Sequence, residues 1–153
     1  MISARLVTMI EDHADQLTAG LVEALLRHPR TSGYHQLPRS ELRDRADDVY
    51  RNLGRWLTRG SERAIEASYA DLGRLRRREG IPLSEVIFAL ILTKAHLLEY
   101  VKTSGLSDTA LDLYQELDLV RVVEQFFDKT IYYAAHGYEE AATGTIVLSA
   151  TSS

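Results

Sequence analysis

The chain has 153 residues, of which 45% are hydrophobic and 26% are charged, and it contains no cysteine. This composition is that of an ordinary globular domain, long enough to bury a core without disulfide bonds. It excludes a disulfide framework, a thiolate metal site and a cysteine nucleophile, and it fits a cytoplasmic location. The net charge of −4 divides into +2 over residues 1–80 and −6 over residues 81–153, an asymmetry too weak to indicate nucleic acid as the main partner.

Neither a targeting segment nor a membrane span is expected. The chain soon reaches the acidic residues Glu11, Asp12 and Asp15, which argues against a signal peptide. The most apolar stretch, from Val86 to Leu92, is far too short to span a bilayer. We therefore predict no contact with a membrane.

The first part of the chain predicts two amphipathic helices joined by a short connection. Apolar residues recur at near-helical spacing from about residue 3 to residue 28, and Pro29 ends the pattern. Residues 31–37 form the connection. A second helix begins near Pro38 or Ser40 and ends at Gly60. Its apolar stripe consists of Leu42, Ala46, Val49, Leu53, Trp56 and Leu57.

The middle of the chain predicts two more helices with clear end signals. Ser61 is suited to cap a third helix that reaches about Glu79, and Gly80 suits the left-handed position just past its end. Pro82 suits the first turn of a fourth helix over about 83–103. Because this helix is apolar nearly all round from 86 to 92, we predict that it is central and buried. Residues 104–108 read as a stop followed by a cap.

The fifth predicted helix, over about 108–142, has two apolar faces. One face carries Val120, Val123, Phe127, Ile131 and Ala134. The other face carries Leu119, Val122, Phe126 and Tyr133. A helix of this kind packs on its own domain and on a second surface, which in a small all-α domain is often another copy of the same helix. We predict a homodimer with the second face as its seam. The alternative is a helix wrapped on both sides by its own chain.

These elements predict an all-α domain of five or so helices over residues 1–142, either globin-like or a helical bundle. Residues 143–153 break the helical pattern. We predict that they form an extended tail or the start of a linker.

Motifs for chemistry are absent from the sequence. None of the five histidines follows a glutamate at a distance of three residues, and no His-Glu-x-x-His pattern occurs, so metal sites of the helical type are not indicated. A Gly-rich phosphate loop and a Gly-x-Ser-x-Gly turn are also missing. We assign no catalytic residue and no metal ligand, and we predict that the protein is not an enzyme.

His96 is the most informative histidine, because it lies in the apolar fourth helix. It could ligate haem, or it could be the polar group of a ligand pocket lined by Phe88, Leu92 and Phe127. The plainer interpretation is a histidine at the edge of the core that bonds to a neighbour. The aromatic residues likewise suit either a pocket or a core and seam. No cofactor is assigned.

The run of arginines from Arg74 to Arg78 near the end of the third helix also has two interpretations. It could bind an anion or an acidic partner. The stronger interpretation is that these cations complement the helix dipole.

Two segments resemble a known family. They are Tyr69–Arg76 with the following Gly80–Val86, and Phe126–Glu139. Together they resemble the N-terminal domain of RsbR/RsbRD-type co-antagonist proteins, which are bacterial stress regulators. The resemblance covers about residues 5–142. It implies a globin-like or bundle-like input domain without haem that dimerises and is usually followed by an output module. It provides no catalytic motif.

The leading hypothesis is a signal-input domain that homodimerises and passes a signal through its long C-terminal helix to an output module or partner. One alternative is a globin-like sensor that binds haem or a small ligand through His96. Another is an interaction scaffold without a ligand. An enzyme of an unrecognised family is the least favoured.

Overall fold

The computed structural model describes residues 3–58, 61–104 and 109–151, and the side chains among them as far as residue 144. These residues form seven α-helices and one 3₁₀ segment, with no strand in the described ranges. The helices are α1 (Ala4–Asp12), α2 (Ala14–Arg27), α3 (Arg39–Arg51), α4 (Leu53–Trp56), α5 (Glu62–Arg78), α6 (Leu83–Ser104) and α7 (Ala110–Thr151), with the 3₁₀ segment at Pro29–Gln36. The predicted all-α fold with a long C-terminal helix is confirmed as a helical bundle.

Each of the first two predicted helices is broken in two, so the prediction of two continuous helices was wrong. The first break is at His13, which leaves helical geometry (φ −107°, ψ 19°) and whose Nδ1–H donates to the Met9 carbonyl at 2.8 Å. The second is at Asn52, with similar backbone angles (φ −112°, ψ 26°). The bends let α1 pack on α4, where the Gly54 amide donates to Glu11 Oε2 at 3.3 Å.

The connection predicted at 31–37 forms most of the 3₁₀ segment. The hydroxyl of Thr31 donates to the Leu25 carbonyl at 2.8 Å, which ties the segment to the end of α2. The carboxylate of Glu85, in the first turn of α6, accepts from the Gly33 amide at 2.7 Å and from the Ser32 hydroxyl at 3.2 Å. These bonds fix the segment against α6.

The turn between α5 and α6 confirms the predicted role of Gly80, whereas Pro82 lies just before the first helical residue, Leu83. Gly80 has φ 77°, and the Ile81 amide donates to the Arg76 carbonyl at 3.1 Å, which is the pattern of a Schellman ending. The Pro82 carbonyl accepts from the Glu85 amide at 3.0 Å and from the Val86 amide at 3.2 Å. Ser61 lies at the predicted N-cap position of α5, but its hydroxyl accepts from no amide of the helix and donates instead to the Trp56 carbonyl at 3.0 Å.

Helix α6 is central, although it is not buried all round. Val86 and Leu97 are fully buried, as is Val101 near its end, whereas Ile91 is 38% exposed. The helix contacts α2, the 3₁₀ segment and α7. Its remaining outward side faces solvent.

Helix α7 is longer than predicted. Thr109 caps its N-terminus, since its hydroxyl accepts from the Asp112 amide at 3.1 Å. Of the stop and cap predicted at 104–108, Ser104 ends α6, and residues 105–108 lie outside the described residues. The extended tail predicted from residue 143 was wrong in its backbone, which stays helical to Thr151. Threonine, isoleucine and valine lower helix propensity by less than about 1 kcal/mol each, and no proline interrupts this stretch. Whether the segment serves as a linker remains a prediction.

Candidate functional site

A cavity of about 230 Å³ lies between α2, the 3₁₀ segment, α3, α5 and α6. It is lined by Leu21, Leu25, Tyr34, Leu42, Asp44, Arg45, Ala46, Asp48, Ser68, Tyr69, Leu72, Arg76, Ala89, Leu90 and Thr93. Most of its inner surface is aliphatic. The polar groups come mainly from α3 and α5, and exposed Asp44 places part of the lining at the surface. A mostly apolar concavity with a few polar groups is the usual form of a small-molecule site.

Arg76 is the charged group at the buried part of this cavity. Its side chain is almost fully buried (2% exposed), and it forms ion pairs with Glu79 at 2.8 Å and with Glu41 at 3.1 Å. Its guanidinium also lies over the ring of Tyr34, 5.1 Å from the centroid. The buried Nε of Arg76 has no hydrogen-bond partner among the described residues. Burial raises the pKa of Tyr34 to about 12, so this phenol is neutral at ordinary pH.

Tyr69 forms the wall that connects the cavity with α7. Its ring meets the ring of Phe126 edge-on, with centroids 6.1 Å apart, and it also lies edge-on to Trp56 at 6.0 Å. Phe126 belongs to α7 and contacts the fully buried Phe127 in the same way at 5.0 Å. Burial raises the pKa of Tyr69 above its ordinary value. A lining residue of the cavity is thus in direct contact with the core side of α7.

The backbones of α5 and α7 approach each other closely at two glycines. A Cβ placed on Gly73 would overlap the carbonyl oxygen of Ala134, and a Cβ placed on Gly137 would overlap the carbonyl oxygen of Ala70. Only glycine permits an approach of this kind at each position. The two helices therefore meet by reciprocal contacts between small residues.

Polar contacts flank this glycine contact on both sides. At the start of α5, Glu62 accepts from the Tyr133 hydroxyl at 2.7 Å and pairs with Lys129 at 2.7 Å. The hydrogen bonds from Lys129 and Tyr133 hold the pKa of Glu62 below its ordinary value. Beyond the end of α5, the Tyr138 hydroxyl donates to the Ile81 carbonyl at 2.6 Å. These bonds fix the register of α7 against α5.

None of the four residues predicted to form a pocket lines this cavity. Phe88 is half-buried and packs on His28, with ring centroids 4.7 Å apart. Leu92 is half-buried on α6, and Phe127 is fully buried within the core. The predicted pocket residues are therefore not assembled around the cavity.

His96 is half-buried, and its Nδ1–H donates to the Leu92 carbonyl of its own helix at 3.1 Å. Its Nε2 faces Gly20 on α2. This geometry is that of the plainer interpretation, a histidine at the edge of the core. The cavity is also smaller than the range of about 300–1,000 Å³ for drug-sized ligands, and it excludes a porphyrin. In the described part of the chain, no group of three or more acidic, His or Cys residues is placed to hold a metal ion.

The residues predicted to form a dimer seam lie mainly against their own chain. Leu119 and Phe126 are buried in the core, and Tyr133 is bonded to α5, while Val122 is half-buried. The two predicted faces of α7 are adjacent, and α4, α5 and α6 together cover parts of both.

A different side of α7 is apolar and exposed. Four large apolar side chains there, Leu111, Leu113, Tyr114 and Leu117, are each 49–65% exposed. At 100° per residue, Leu113, Tyr114 and Leu117 face away from buried Leu119. We call these four residues the α7 patch. The outward apolar patch of α7 is therefore made of residues other than those of the predicted second face, and it is confined to the first two turns of the helix.

Comparison with known proteins identifies the family of this domain. The family described as the RsbT co-antagonist protein rsbRD N-terminal domain matches residues 15–148, most of the chain. The chain belongs to this family. It is a family of regulatory N-terminal domains in stress signalling, and the resemblance predicted from the sequence is confirmed. No curated protein and no solved structure matches the chain.

The two segments that carry the resemblance have a structural meaning in this RsbRD-type domain. The first contains Gly73 and the second contains Gly137, so they are the two sides of the contact between α5 and α7. The first also supplies Tyr69, Leu72 and Arg76 to the cavity. No helix in the described ranges of the domain is long and apolar enough to cross a membrane.

Sequence reasoning missed Arg76 and Tyr34 as residues of the site. A signal for Arg76 was present, because it continues the spacing of Ile65, Tyr69 and Leu72 along the apolar stripe of α5. An arginine at a core position needs acidic partners, which the partly exposed Glu41 and Glu79 provide. Tyr34 falls in the 3₁₀ segment, where periodicity gives no information about burial.

Proposed function

We propose that this RsbRD-type domain is a signal-input module in which α5 relays the state of the cavity to α7. The observation that carries the proposal is the double role of α5. One side of this helix lines the cavity with Ser68, Tyr69, Leu72 and Arg76. Another side meets the backbone of α7 at Gly73.

Close packing makes α5 a suitable relay. A displacement of α5 by a bound molecule cannot be absorbed at the Gly73 contact, where no side chain lies between the two backbones. Tyr69 and Phe126 provide a second contact between the cavity wall and α7. A signal then acts by favouring one of two packings of α5 and α7 that differ little in free energy.

Helix α7 is the proposed output element. Its 42 residues correspond to about 63 Å at 1.5 Å per residue. Its last described turns extend past Tyr138, whose hydroxyl donates to the Ile81 carbonyl in the α5–α6 turn. We propose that an output module or a regulatory partner receives the signal at this C-terminal end, with residues 143–153 as the connection.

We further propose that the domain homodimerises through the α7 patch. Its four exposed apolar side chains lie within two turns of one helix, and a self-complementary patch on a helix is suited to a twofold interface. A second copy would bury this surface and would place two output helices side by side. A change in the packing of α5 against α7 would then alter the angle between them.

We propose that the domain is not an enzyme and that it is located in the cytoplasm. The lack of cysteine fits this location. The cavity favours a ligand sensor over a scaffold without a ligand, because a mostly apolar concavity with a few polar groups is the usual form of a small-molecule site. The alternative of haem bound through His96 has no support from the geometry of that residue.

Filling the cavity by mutation tests the relay without any ligand. Ala46 is buried in the cavity wall, so Ala46→Leu should occupy part of the cavity and shift α5. We expect amide hydrogen exchange in α7 between residues 119 and 140 to change several-fold, measured by mass spectrometry on the full chain. Ala64→Leu is the matched control, since Ala64 is exposed on α5.

Exchange in α7 that is the same in Ala46→Leu, Ala64→Leu and the unmodified protein would contradict the relay. A change confined to α3 and α6 would also contradict it. Equal melting temperatures are not required, because cavity filling can itself raise stability.

A further inference from the structure

The outward side of α6 carries a line of apolar residues that the described part of the chain covers only in part. Ile91 is 38% exposed and Ala95 is exposed, while Ile87 and Leu98 are half-buried. At 100° per residue, these four side chains lie within about 40° of one line along the helix. We call them the α6 stripe. Contiguous apolar surface on the outside of a domain is a usual feature of interaction sites.

The α6 stripe and the α7 patch differ in the charge around them. Along α6 from residue 87 to residue 102, the charged residues are Lys94, Glu99 and Lys102, and Lys102 continues the line of the stripe one turn beyond Leu98. Around the α7 patch, acidic residues outnumber basic ones by four to two. They are Asp112, Glu116, Asp118 and Glu124, against Arg121 and Arg5, which reaches Asp112 at 3.8 Å. The stripe is therefore weakly basic and the patch is acidic.

This difference decides which surfaces can meet in the proposed dimer. Two α7 patches placed face to face would bring the acidic side chains of both copies together, which is unfavourable. The α6 stripe offers an apolar surface of the opposite charge. It also adjoins the patch in the same molecule, because α6 and α7 contact each other and are joined by residues 105–109 alone. A connection this short makes the two helices antiparallel neighbours.

We infer that the α7 patch of each copy packs on the α6 stripe of the other copy. Such a contact is made twice around a twofold axis, so α6 and α7 together form the self-complementary surface. With the axis parallel to the helices, the end of α6 lies level with the start of α7. Lys102 of one copy is then near Asp112 of the second copy, and Leu98 is near Leu117. The inference rests on the proposed homodimer and adds the surface that the second copy supplies.

Cross-linking between single cysteines tests this pairing, because the chain contains no cysteine. Ala95→Cys marks the α6 stripe and Leu117→Cys marks the α7 patch, and both positions are exposed. The two variants of the full chain, carrying different tags, are produced together and treated with a short bismaleimide. We expect cross-linked heterodimer from up to about half of the chains, because random pairing of two kinds of copy gives half mixed dimers. Either variant alone should give little.

A charge reversal provides a second measurement. Lys94→Glu combined with Lys102→Glu should raise the dissociation constant of the dimer at least about tenfold, because several exposed charge pairs become repulsive. Arg63→Glu combined with Arg78→Glu is the matched control. It makes the same change in net charge at two exposed positions on α5, so it should leave the constant within about twofold. Sedimentation equilibrium measures both variants, with circular dichroism as the check that each is folded.

The results separate this inference from the proposed dimer. Cross-linking of Leu117→Cys with itself as efficient as in the mixture would show that α7 pairs with α7, which overturns the inference and leaves the homodimer in place. A dimer without the mixed cross-link also overturns it. Tyr132→Cys, exposed on α7 away from the patch, replaces Leu117→Cys in the control mixture, and equal cross-linking there would show that the reaction reports chance collisions. A monomeric chain overturns the homodimer itself.

Discussion

Arg76 joins three parts of the fold around one buried charge. It extends from the last turn of α5 to Glu41 on α3, to Glu79 after α5, and to the ring of Tyr34 in the 3₁₀ segment. Such a charge is tolerated only because its acidic partners are present, since an isolated buried ion is costly. The interactions of this residue hold the cavity walls together.

The first prediction concerns the stability that depends on this residue. Arg76→Met should lower the free energy of unfolding by about 1.5–3 kcal/mol, because the charge-assisted hydrogen bonds that join α5 to Glu41 and Glu79 are lost. Arg78→Met, two residues along on an exposed position, should change it by less than about 0.5 kcal/mol. Urea denaturation followed by circular dichroism measures both. Similar losses in the two variants would show that Arg76 contributes only to the helix dipole, as the arginine run first suggested.

At the scale of single residues, the sequence predicted the signals at helix ends better than it predicted the surroundings of buried side chains. The role of Gly80 followed from its chemistry, because access to positive φ is a property of the residue itself. The environment of His96 and the pairing of Arg76 depend on residues far away in the chain. No local pattern contains that information.

The contact between α5 and α7 is the central feature at the scale of elements. Gly73 and Gly137 each face a backbone carbonyl of the other helix, so the two helices are closer than ordinary side chains allow. This contact gives the relay its stiffness. Gly73 and Gly137 lie in the two segments that carry the family resemblance.

The second prediction tests this contact. Gly73→Ala should lower the free energy of unfolding by at least about 2 kcal/mol, because the added methyl group meets backbone that cannot move aside. Gly20→Ala is the control. A Cβ there lies 3.6 Å from the His96 ring, an ordinary contact, so this change should raise stability by about 0.5–1 kcal/mol. Thermal and urea unfolding measure both variants. An increase in stability in both would mean that the helices are not in close backbone contact.

At this scale the sequence predicted helix types and most boundaries, but not the breaks or the end of α7. The apolar periodicity of the sequence continues through His13 and Asn52, because the apolar residues before and after each break are buried. The breaks follow from packing of α1 on α4, which is a tertiary effect. The helix continues beyond residue 142 although β-branched residues occur there. Each of these residues disfavours a helix by only a few tenths of a kcal/mol, so helix propensity alone does not end it.

At the scale of the whole molecule, most of the exposed large apolar side chains among the described residues lie on α7. Among the described residues, the exposed large apolar side chains are Ile91 and Tyr132 in addition to the α7 patch. The sequence predicted an interface on this helix, but it could not show which face its own chain would cover. Glutamate at both Phe126 and Phe127 would disrupt the core and would not report on association, because both rings are buried.

The last prediction therefore concerns association through the α7 patch. Leu113→Glu combined with Leu117→Glu places two charges on the outward side of α7, where each side chain is about half exposed or more, so the fold should be retained. The molar mass from light scattering should fall from that of a dimer to half that value, with unchanged helical circular dichroism. Tyr132→Glu, at an exposed position on the same helix, should leave the dimer intact. A dimer that survives the double substitution would place the interface elsewhere, and a monomeric unmodified protein would remove the twofold arrangement from the proposed signalling mechanism while leaving the relay through α5 in place.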